Sequence, residues 1–251
     1  MFKGTLIRSG NNAKTIKGDG VYETAIMYLA PFNMAGSNVC PMAEQAGCVD
    51  GCLNTAGRGA FNNVQKARIA KTQRYLKSRT DFMAELVKDI EAFVRYCAKR
   101  GVIPAVRLNG TSDIQWEVAH FANRGDKRGS IFELFPEVQF YDYTKVYKRV
   151  YRELPANYAL VLSYSEANPR YADAIIAAAK DTGANVAVVY RTKELRDSMT
   201  GDHLEGAERF LNRPVIDGDE TDMRFLDPKG VIVGLYAKGK AKGDKSGFVL
   251  G

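Results

Sequence analysis

Three of the four cysteines lie close together in the sequence, at positions 40, 48 and 52. Their spacing is C-x7-C-x3-C, and a proline and several glycines lie in the same stretch. Closely spaced cysteines ligate iron-sulfur clusters, and glycines let backbone N–H groups approach the sulfides of an anionic cluster. The sequence therefore predicts that Cys40, Cys48 and Cys52 bind one [4Fe-4S] cluster.

Other interpretations of the cysteines remain open. A closed zinc site needs four ligands, and no fourth cysteine or histidine lies nearby in the sequence. Cys97 falls on an apolar helical stripe and is interpreted as a core residue, and His120 and His203 are isolated. Three ligands leave one iron open for a substrate, S-adenosylmethionine, water, or a carboxylate such as Asp50 or Asp113. The remaining alternative is three ordinary buried thiols.

Short apolar runs alternate with helical patterns along the chain. A helical stripe extends from Phe82 to Cys97 after a Thr80/Asp81 cap, and a second helix is predicted from an Asn168 cap to Gly183. Such alternation predicts parallel βα units, in an open doubly wound sheet or, as we expect, a partial (β/α)6 TIM-like barrel forming a single domain over residues 1–251. The six predicted strands are Val21–Ala30, Val102–Leu108, Glu137–Tyr143, Tyr158–Tyr164, Asn185–Tyr190 and Val231–Tyr236.

A polar turn follows most of the predicted strands. Because parallel strands place their carboxyl ends at one edge, these turns converge where barrel and open-sheet enzymes keep their active sites. The alternative is that polar βα turns only cap helices. We predict catalytic roles for three residues, Asp113, Lys145 and Glu166. We predict cofactor-binding roles for five others, Asn109, Thr111, Tyr143, Ser165 and Arg191.

The formal net charge of +7 is unevenly distributed. Residues 66–100 contain ten basic and four acidic side chains, which favours either a surface that contacts nucleic acid or nucleotide, or a solvated helix face. The basic Gly/Lys tail at residues 239–247 is interpreted as a solvated terminus, with folding over the site as the alternative. Tyr143, Tyr147 and Tyr151 repeat at helical spacing and predict a core-facing stripe.

The composition excludes several protein classes. Of the 251 residues, 45% are apolar and 26% are charged, as in a soluble globular domain. No stretch approaches the roughly 18 apolar residues of a membrane span, and residues 1–17 are too polar for a secretory signal. We therefore expect no membrane contact and a cytoplasmic location. Four cysteines are also too few for a disulfide scaffold.

Three cysteines on the loop after the first strand of a six-unit partial barrel resemble the radical S-adenosylmethionine superfamily. That superfamily usually has C-x3-C-x2-C with an aromatic residue before the last cysteine, whereas Gly51 precedes Cys52 here. It also has a Gly-Gly-Glu segment after the second strand, where this chain has Asn109-Gly110-Thr111. The resemblance implies a radical-SAM-like fold and makes S-adenosylmethionine a candidate cofactor.

A second set of motifs covers nearly the whole chain. It comprises residues 40–43 (Cys-Pro-Met-Ala), 47–48, 52–53, 57–59, 79–83, 107–113, 140–145, 163–166, 217–219, 224–235 and 237–241. These stretches resemble a family of bacteriophage-encoded proteins with no assigned activity. The resemblance implies a viral origin, and hence the host cytoplasm, but no particular reaction.

These observations predict a viral iron-sulfur protein that carries out redox or radical-type chemistry at an open iron site. The expected substrate is a small molecule or nucleotide. The alternative is a non-enzymatic module, in which the cluster organises the loop and the basic surface binds nucleic acid or a host protein.

Overall fold

A computed structural model describes residues 1–10, 19–200 and 212–251, and its central feature is an eight-stranded, mainly parallel β-sheet. The strands of this sheet alternate with helices along the chain. The elements are β1 (Ile7–Ser9), β2 (Tyr22–Met27), α1 (Asn62–Lys77), α2 (Arg79–Ala98), β3 (Ile103–Arg107), β4 (Phe121–Arg124), β5 (Lys127–Ser130), α3 (Ile131–Leu134), β6 (Gln139–Thr144), β7 (Tyr158–Ser163), α4 (Pro169–Thr182), β8 (Val186–Tyr190), α5 (Lys193–Ser198), β9 (Val215–Asp217) and β10 (Ile232–Tyr236).

The strand order is β1-β2-β3-β6-β7-β8-β10-β9, so six strands follow one another across the sheet in chain order. These six, β2, β3, β6, β7, β8 and β10, are parallel and are the six strands predicted from the sequence. At the edges, β1 pairs antiparallel with β2 and β9 pairs parallel with β10. The prediction of a parallel α/β sheet is thereby confirmed, and β4 and β5 form a separate hairpin.

Strand register explains why helices α2 and α4 cover the same face of the sheet. Val106 is paired with Phe140, and Phe140 with Tyr158, and all three pack against α2. Leu162 is paired with Val186, and both pack against α4. Tyr158 and Leu162 are four residues apart on β7, and side chains alternate between faces with a period of two. Both helices therefore lie on one side of the sheet.

The opposite face of the sheet, which we call the inner face, is covered by a segment without a long helix. Val161, Ala187 and Val233 form its apolar part. A 3-10 turn, Arg224–Leu226, lies over it, with the Phe225 ring 5.5 Å from that of Tyr141. Unequal cover of the two faces leaves room for polar side chains on the inner one.

The two predicted helices are present, with one difference at a terminus. Asn168 caps α4 by accepting from the Tyr171 N–H, and Gly183 ends the helix in a left-handed conformation, φ +73°, as expected. The predicted Thr80/Asp81 cap of α2 is wrong: Ser78 is the cap, and its hydroxyl accepts from the Asp81 N–H. No helix in the described ranges is long and apolar enough to cross a bilayer.

The predicted tyrosine stripe is wrong. Tyr147–Tyr151 is a short 3-10 helix, so residues four apart do not share a face, and Tyr151 is exposed. The side chain that enters the interior is Arg149. Helix α1 escaped prediction because its buried positions include Arg68 and Thr72, which do not form an apolar stripe.

Candidate functional site

The loops after β2, β3, β6 and β7 contact one another at the carboxyl edge of the sheet. The Thr111 hydroxyl donates to the Leu29 carbonyl at 2.5 Å, and the Lys145 ammonium donates to the Ser163 hydroxyl at 2.8 Å. The Ser165 hydroxyl donates to the Ala46 carbonyl at 2.7 Å. The predicted convergence of the polar turns at one edge is therefore observed.

The three clustered cysteines lie in residues 28–61, the Cys loop, which follows β2. The Phe32 N–H donates to Cys40 Sγ at 3.3 Å, and the Asn54 N–H contacts Cys52 Sγ at 3.5 Å. Cys48 packs against the apolar cluster formed by the C-terminal segment. Cys97, by contrast, is fully buried in the core beneath α2, as predicted.

The thiols of the Cys loop lie close enough to affect one another's ionisation. The pKa of the Cys40 thiol is raised to about 12, mainly by burial and in smaller part by negative charge on Asp113, Cys52 and Cys48. Burial also raises the pKa of the Cys52 thiol. The hydrogen bond from the Asn54 N–H and the positive charges of Lys145 and Arg68 act in the opposite direction and limit this rise. Keeping all three thiolates together requires compensating positive charge.

Two cations near Cys52 have no carboxylate partner within the described chain. Arg68 is 9% exposed, donates to the Asn54 side-chain oxygen and lies 4.6 Å from the centre of the Tyr28 ring. Lys145 contacts the Ser163 hydroxyl and the ring of Phe248. A buried cation is costly unless it is paired with an anion. Thiolates of the Cys loop would supply that negative charge.

Across the described residues, no three histidine, cysteine or acidic side chains are arranged to hold a metal ion. Cysteine thiolates are ligands of both zinc and iron-sulfur clusters. The Cys loop supplies donors of this kind, and the metal that they bind stays a prediction.

Asn109 uses its whole side-chain amide within the protein. Its nitrogen donates to the Ile114 carbonyl and to Asp142, and its oxygen accepts from Ser112, the Ile114 N–H and the Trp116 indole. Such an amide has no hydrogen-bonding capacity left for a ligand. We therefore assign Asn109 a positioning role for the loop after β3 in place of the predicted contact with a cofactor.

Asp113 is likewise saturated. Its carboxylate accepts from the Thr144 hydroxyl, the Lys145 N–H and the Arg149 guanidinium at 2.7–2.9 Å. Arg149 is fully buried and also makes two short hydrogen bonds to Glu117. Asp113 thus joins the loops after β3 and β6, and in this arrangement it is not free to act as a catalytic base or as an iron ligand.

The other predicted residues hold backbone or face solvent. Thr111 and Ser165 are buried and connect their loops to the Cys loop. Glu166 is exposed, and only its N–H contacts the C-terminal segment, at Gly247. Arg191 donates to the backbone carbonyls of Asp244, Val249 and Gly251. The Tyr143 hydroxyl is buried on the inner face.

The C-terminal segment, residues 237–250, packs over the Cys loop, so its interpretation as a solvated terminus is wrong. The Ser246 hydroxyl donates to the Gly47 carbonyl, and Phe248 packs beside Gly51. Gly247 adopts φ +95°, and a Cβ there would lie 2.8 Å from the Ala167 nitrogen. Only glycine fits this left-handed and crowded position.

Sequence reasoning missed Arg68 and Arg149 as site residues. Both lie among other basic residues, so no local pattern distinguishes them from solvated side chains. His120 has ordinary hydrogen-bond partners within the protein, as predicted: its ring contacts the Tyr75 hydroxyl and the Val118 carbonyl. His203 lies outside the described residues.

The raised pKa of Cys40 predicts slow alkylation in the metal-free protein. At pH 8 a thiol with a pKa of about 12 is ionised to about one part in ten thousand, whereas an ordinary thiol is ionised to about a quarter. We expect iodoacetamide to modify Cys40 at least about a hundredfold more slowly in the folded than in the urea-unfolded protein, with the rate rising about tenfold per pH unit. Mass spectrometry of peptides containing Cys40 measures both, and equal rates would contradict the assignment.

Comparison with known proteins identifies one family. The model of a family described as gene product 88 matches residues 5–250, nearly the whole chain. The chain has no significant match among curated proteins or solved structures. The predicted phage-type family is thereby confirmed, while the role of the cysteine motif in that family and the similarity to radical S-adenosylmethionine enzymes remain predictions.

Proposed function

The chain belongs to the gene product 88 family, and on that premise we propose that it is an iron-sulfur protein. It binds one [4Fe-4S] cluster through Cys40, Cys48 and Cys52 and carries out redox or radical-type chemistry at the iron that has no protein ligand. The observation that carries the proposal is the position of two cations, Arg68 and Lys145, beside the partly buried thiol of Cys52, with no carboxylate partner for either in the described chain.

The charges support this assignment. Three thiolates bring three negative charges, and a [4Fe-4S]²⁺ core bound by them carries a net charge of about −1. Arg68 and Lys145 lie on the Cys52 side, where they would balance that charge. Metal-free thiols would leave both cations uncompensated, which is costly in a buried site.

The fold supports a partial (β/α) barrel of the kind found in radical S-adenosylmethionine enzymes. Six parallel strands follow chain order, whereas a doubly wound sheet reverses its order at a switch point. The long helices α2 and α4 cover one face only. In a barrel, helices lie outside and the carboxyl ends of the strands carry the site.

When bound, a [4Fe-4S] cluster supplies one-electron redox chemistry. The chain's own residues would tune that chemistry. The Phe32 and Asn54 N–H groups point at two of the sulfurs, and such hydrogen bonds raise the reduction potential. Phe248 and Val249 on the C-terminal segment partly shield Cys48 from water.

Anaerobic purification with iron and labile-sulfide analysis tests the proposal. We expect about four irons and four sulfides per chain, and an EPR signal that appears on reduction. Cleavage of S-adenosylmethionine by the reduced protein would support the radical-type reaction, and redox activity without cleavage would support simple electron transfer. Stoichiometric zinc, or no metal after reconstitution, would refute the proposal.

The second candidate, a binding module for nucleic acid or a host protein, has weaker support. Arg68 of α1 is buried and Lys71 donates to the Leu6 carbonyl, so both are turned away from solvent. Lys66, Arg74 and Lys77 remain exposed on that helix. Salt-dependent binding of DNA or RNA by cluster-free protein would favour this candidate.

A further inference from the structure

Below the Cys loop, the inner face of the sheet carries a second group of buried polar side chains. We call it the inner-face cluster. It consists of residues from two strands and from the segment that covers them, Arg107, Tyr141, Tyr143, Asp222, Arg224 and Asp227. Sequence reasoning singled out only Tyr143 from this group.

One half of the inner-face cluster is paired. Arg107 Nη1 lies 3.2 Å from Asp222 Oδ2, and the Tyr141 hydroxyl donates to the same oxygen at 3.2 Å. These contacts join β3 and β6 to the covering segment. Arg107 also lies over the ring of Tyr143, with its guanidinium carbon 4.7 Å from the ring centre. The two strands and their cover therefore form one continuous polar surface.

The other half has hydrogen-bond donors with no partner among the residues that the structure describes. They are Arg107 Nε, the Tyr143 hydroxyl, and Arg224 Nε and Nη1. Arg224 Nη1 is 3.2 Å from Asp227 Oδ2, but the two are not aligned for a hydrogen bond, so that oxygen also lacks one. Arg107 and Arg224 are 7% and 2% exposed, too little for bulk water to satisfy them.

This excess of donors indicates the chemistry of a missing partner. Unpaired buried donors cost free energy, and proteins keep them where a ligand, ion or ordered water completes the set. In the inner-face cluster, four donor atoms lack an acceptor, and one acceptor atom lacks a donor. Guanidinium groups match the oxygens of carboxylates and phosphates in geometry and charge. Burial raises the pKa of the Tyr143 phenol, so this hydroxyl stays protonated and can donate.

We propose that the inner-face cluster binds a carboxylate or phosphate group of the substrate, held by Arg224 and the Tyr143 hydroxyl. The inference deepens the proposed function and rests on it for one point only, that the bound molecule is the substrate of the iron-sulfur site. The link is spatial: Arg107 ends β3, and the loop that follows β3 contacts the Cys loop, where the Thr111 hydroxyl donates to the Leu29 carbonyl.

A pair of matched variants on β6 tests the proposal. Tyr143→Phe removes a hydroxyl with no described partner, whereas Tyr141→Phe removes one that is bonded to Asp222. Without added anion, we expect the Tyr143→Phe variant to melt no lower than the wild type. Under the same conditions, we expect the Tyr141→Phe variant to melt a few degrees lower. Inorganic phosphate and succinate are titrated separately, against chloride at equal ionic strength.

In the wild type, one of the two anions should raise Tm, and the anion that does so identifies the group as phosphate or carboxylate. Tyr143→Phe should weaken this binding about tenfold, and Tyr141→Phe should retain it. The proposal is overturned if neither anion raises the Tm of the wild type, or if the anion raises the Tm of Tyr143→Phe equally. It is also overturned if Tyr143→Phe without added anion melts well below the wild type.

Iron is assayed in the same samples, which separates the two proposals. Anion binding by protein without iron would leave the inner-face site standing and refute the cluster. A full cluster in protein that binds neither anion would leave the iron-sulfur proposal standing and refute the inner-face site.

Discussion

Replacing Cys48 with alanine is expected to lower the iron content of anaerobically reconstituted protein from about four atoms per chain to below about one. Cys48 is the middle one of the three clustered cysteines, and it packs against the C-terminal segment. With two thiolates left, half of the irons would have no protein ligand, and cluster binding would be lost along with any activity that depends on it. Iron and sulfide analysis with EPR measures the effect.

Cys97→Ala is the matched control, since it removes the one other cysteine. Its side chain lies in the core beneath α2, remote in sequence from the Cys loop. We expect full iron content and a loss of stability of about 1 kcal/mol from the small cavity. Equal iron content in the two variants, or a loss of iron in Cys97→Ala alone, would contradict the ligand assignment.

Arg149→Met is expected to destabilise the protein by about 3–5 kcal/mol. The guanidinium is fully buried and makes ion pairs with Asp113 at 2.9 Å and Glu117 at 2.7 Å, and the carboxylates of both are nearly inaccessible. Methionine fills similar space but leaves the buried Asp113 carboxylate without an ion pair and Glu117 with only the 3.5 Å contact to the exposed Arg152. Urea unfolding at pH 7 measures the difference.

An exposed arginine beside the same carboxylate provides the control for this effect. Arg152 is 43% exposed and lies 3.5 Å from Glu117. We expect Arg152→Met to change stability by less than about 0.5 kcal/mol. Equal losses of stability in the two variants would contradict the role assigned to Arg149.

The role of Arg149 also bears on the candidate site. Asp113 holds the backbone of Lys145 and the hydroxyl of Thr144. Lys145 is one of the two cations near Cys52. Arg149 is therefore a positioning residue, and its loss should lower cluster retention even under conditions where the variant remains folded.

Local pattern was sufficient for the regular elements of the fold. The six central strands are short runs of apolar, β-branched and aromatic residues, and such runs form buried parallel strands in many contexts. The ends of α4 are set by Asn168 and Gly183, whose cap conformations are intrinsic to those residue types. Tyr147–Tyr151 was misread because helical spacing does not specify which kind of helix forms.

The sequence by itself determined the six central strands, the ends of α4 and the spacing of the three cysteines, since each depends on residues close together in the chain. Only the tertiary structure decided that Arg149 meets Asp113, 36 residues away, that Arg68 turns inward towards Cys52, and that the C-terminal segment covers the Cys loop. A buried arginine and a solvated one are the same residue in the same local pattern. What separates them is the anion that long-range packing brings to each, and no window of sequence contains both partners.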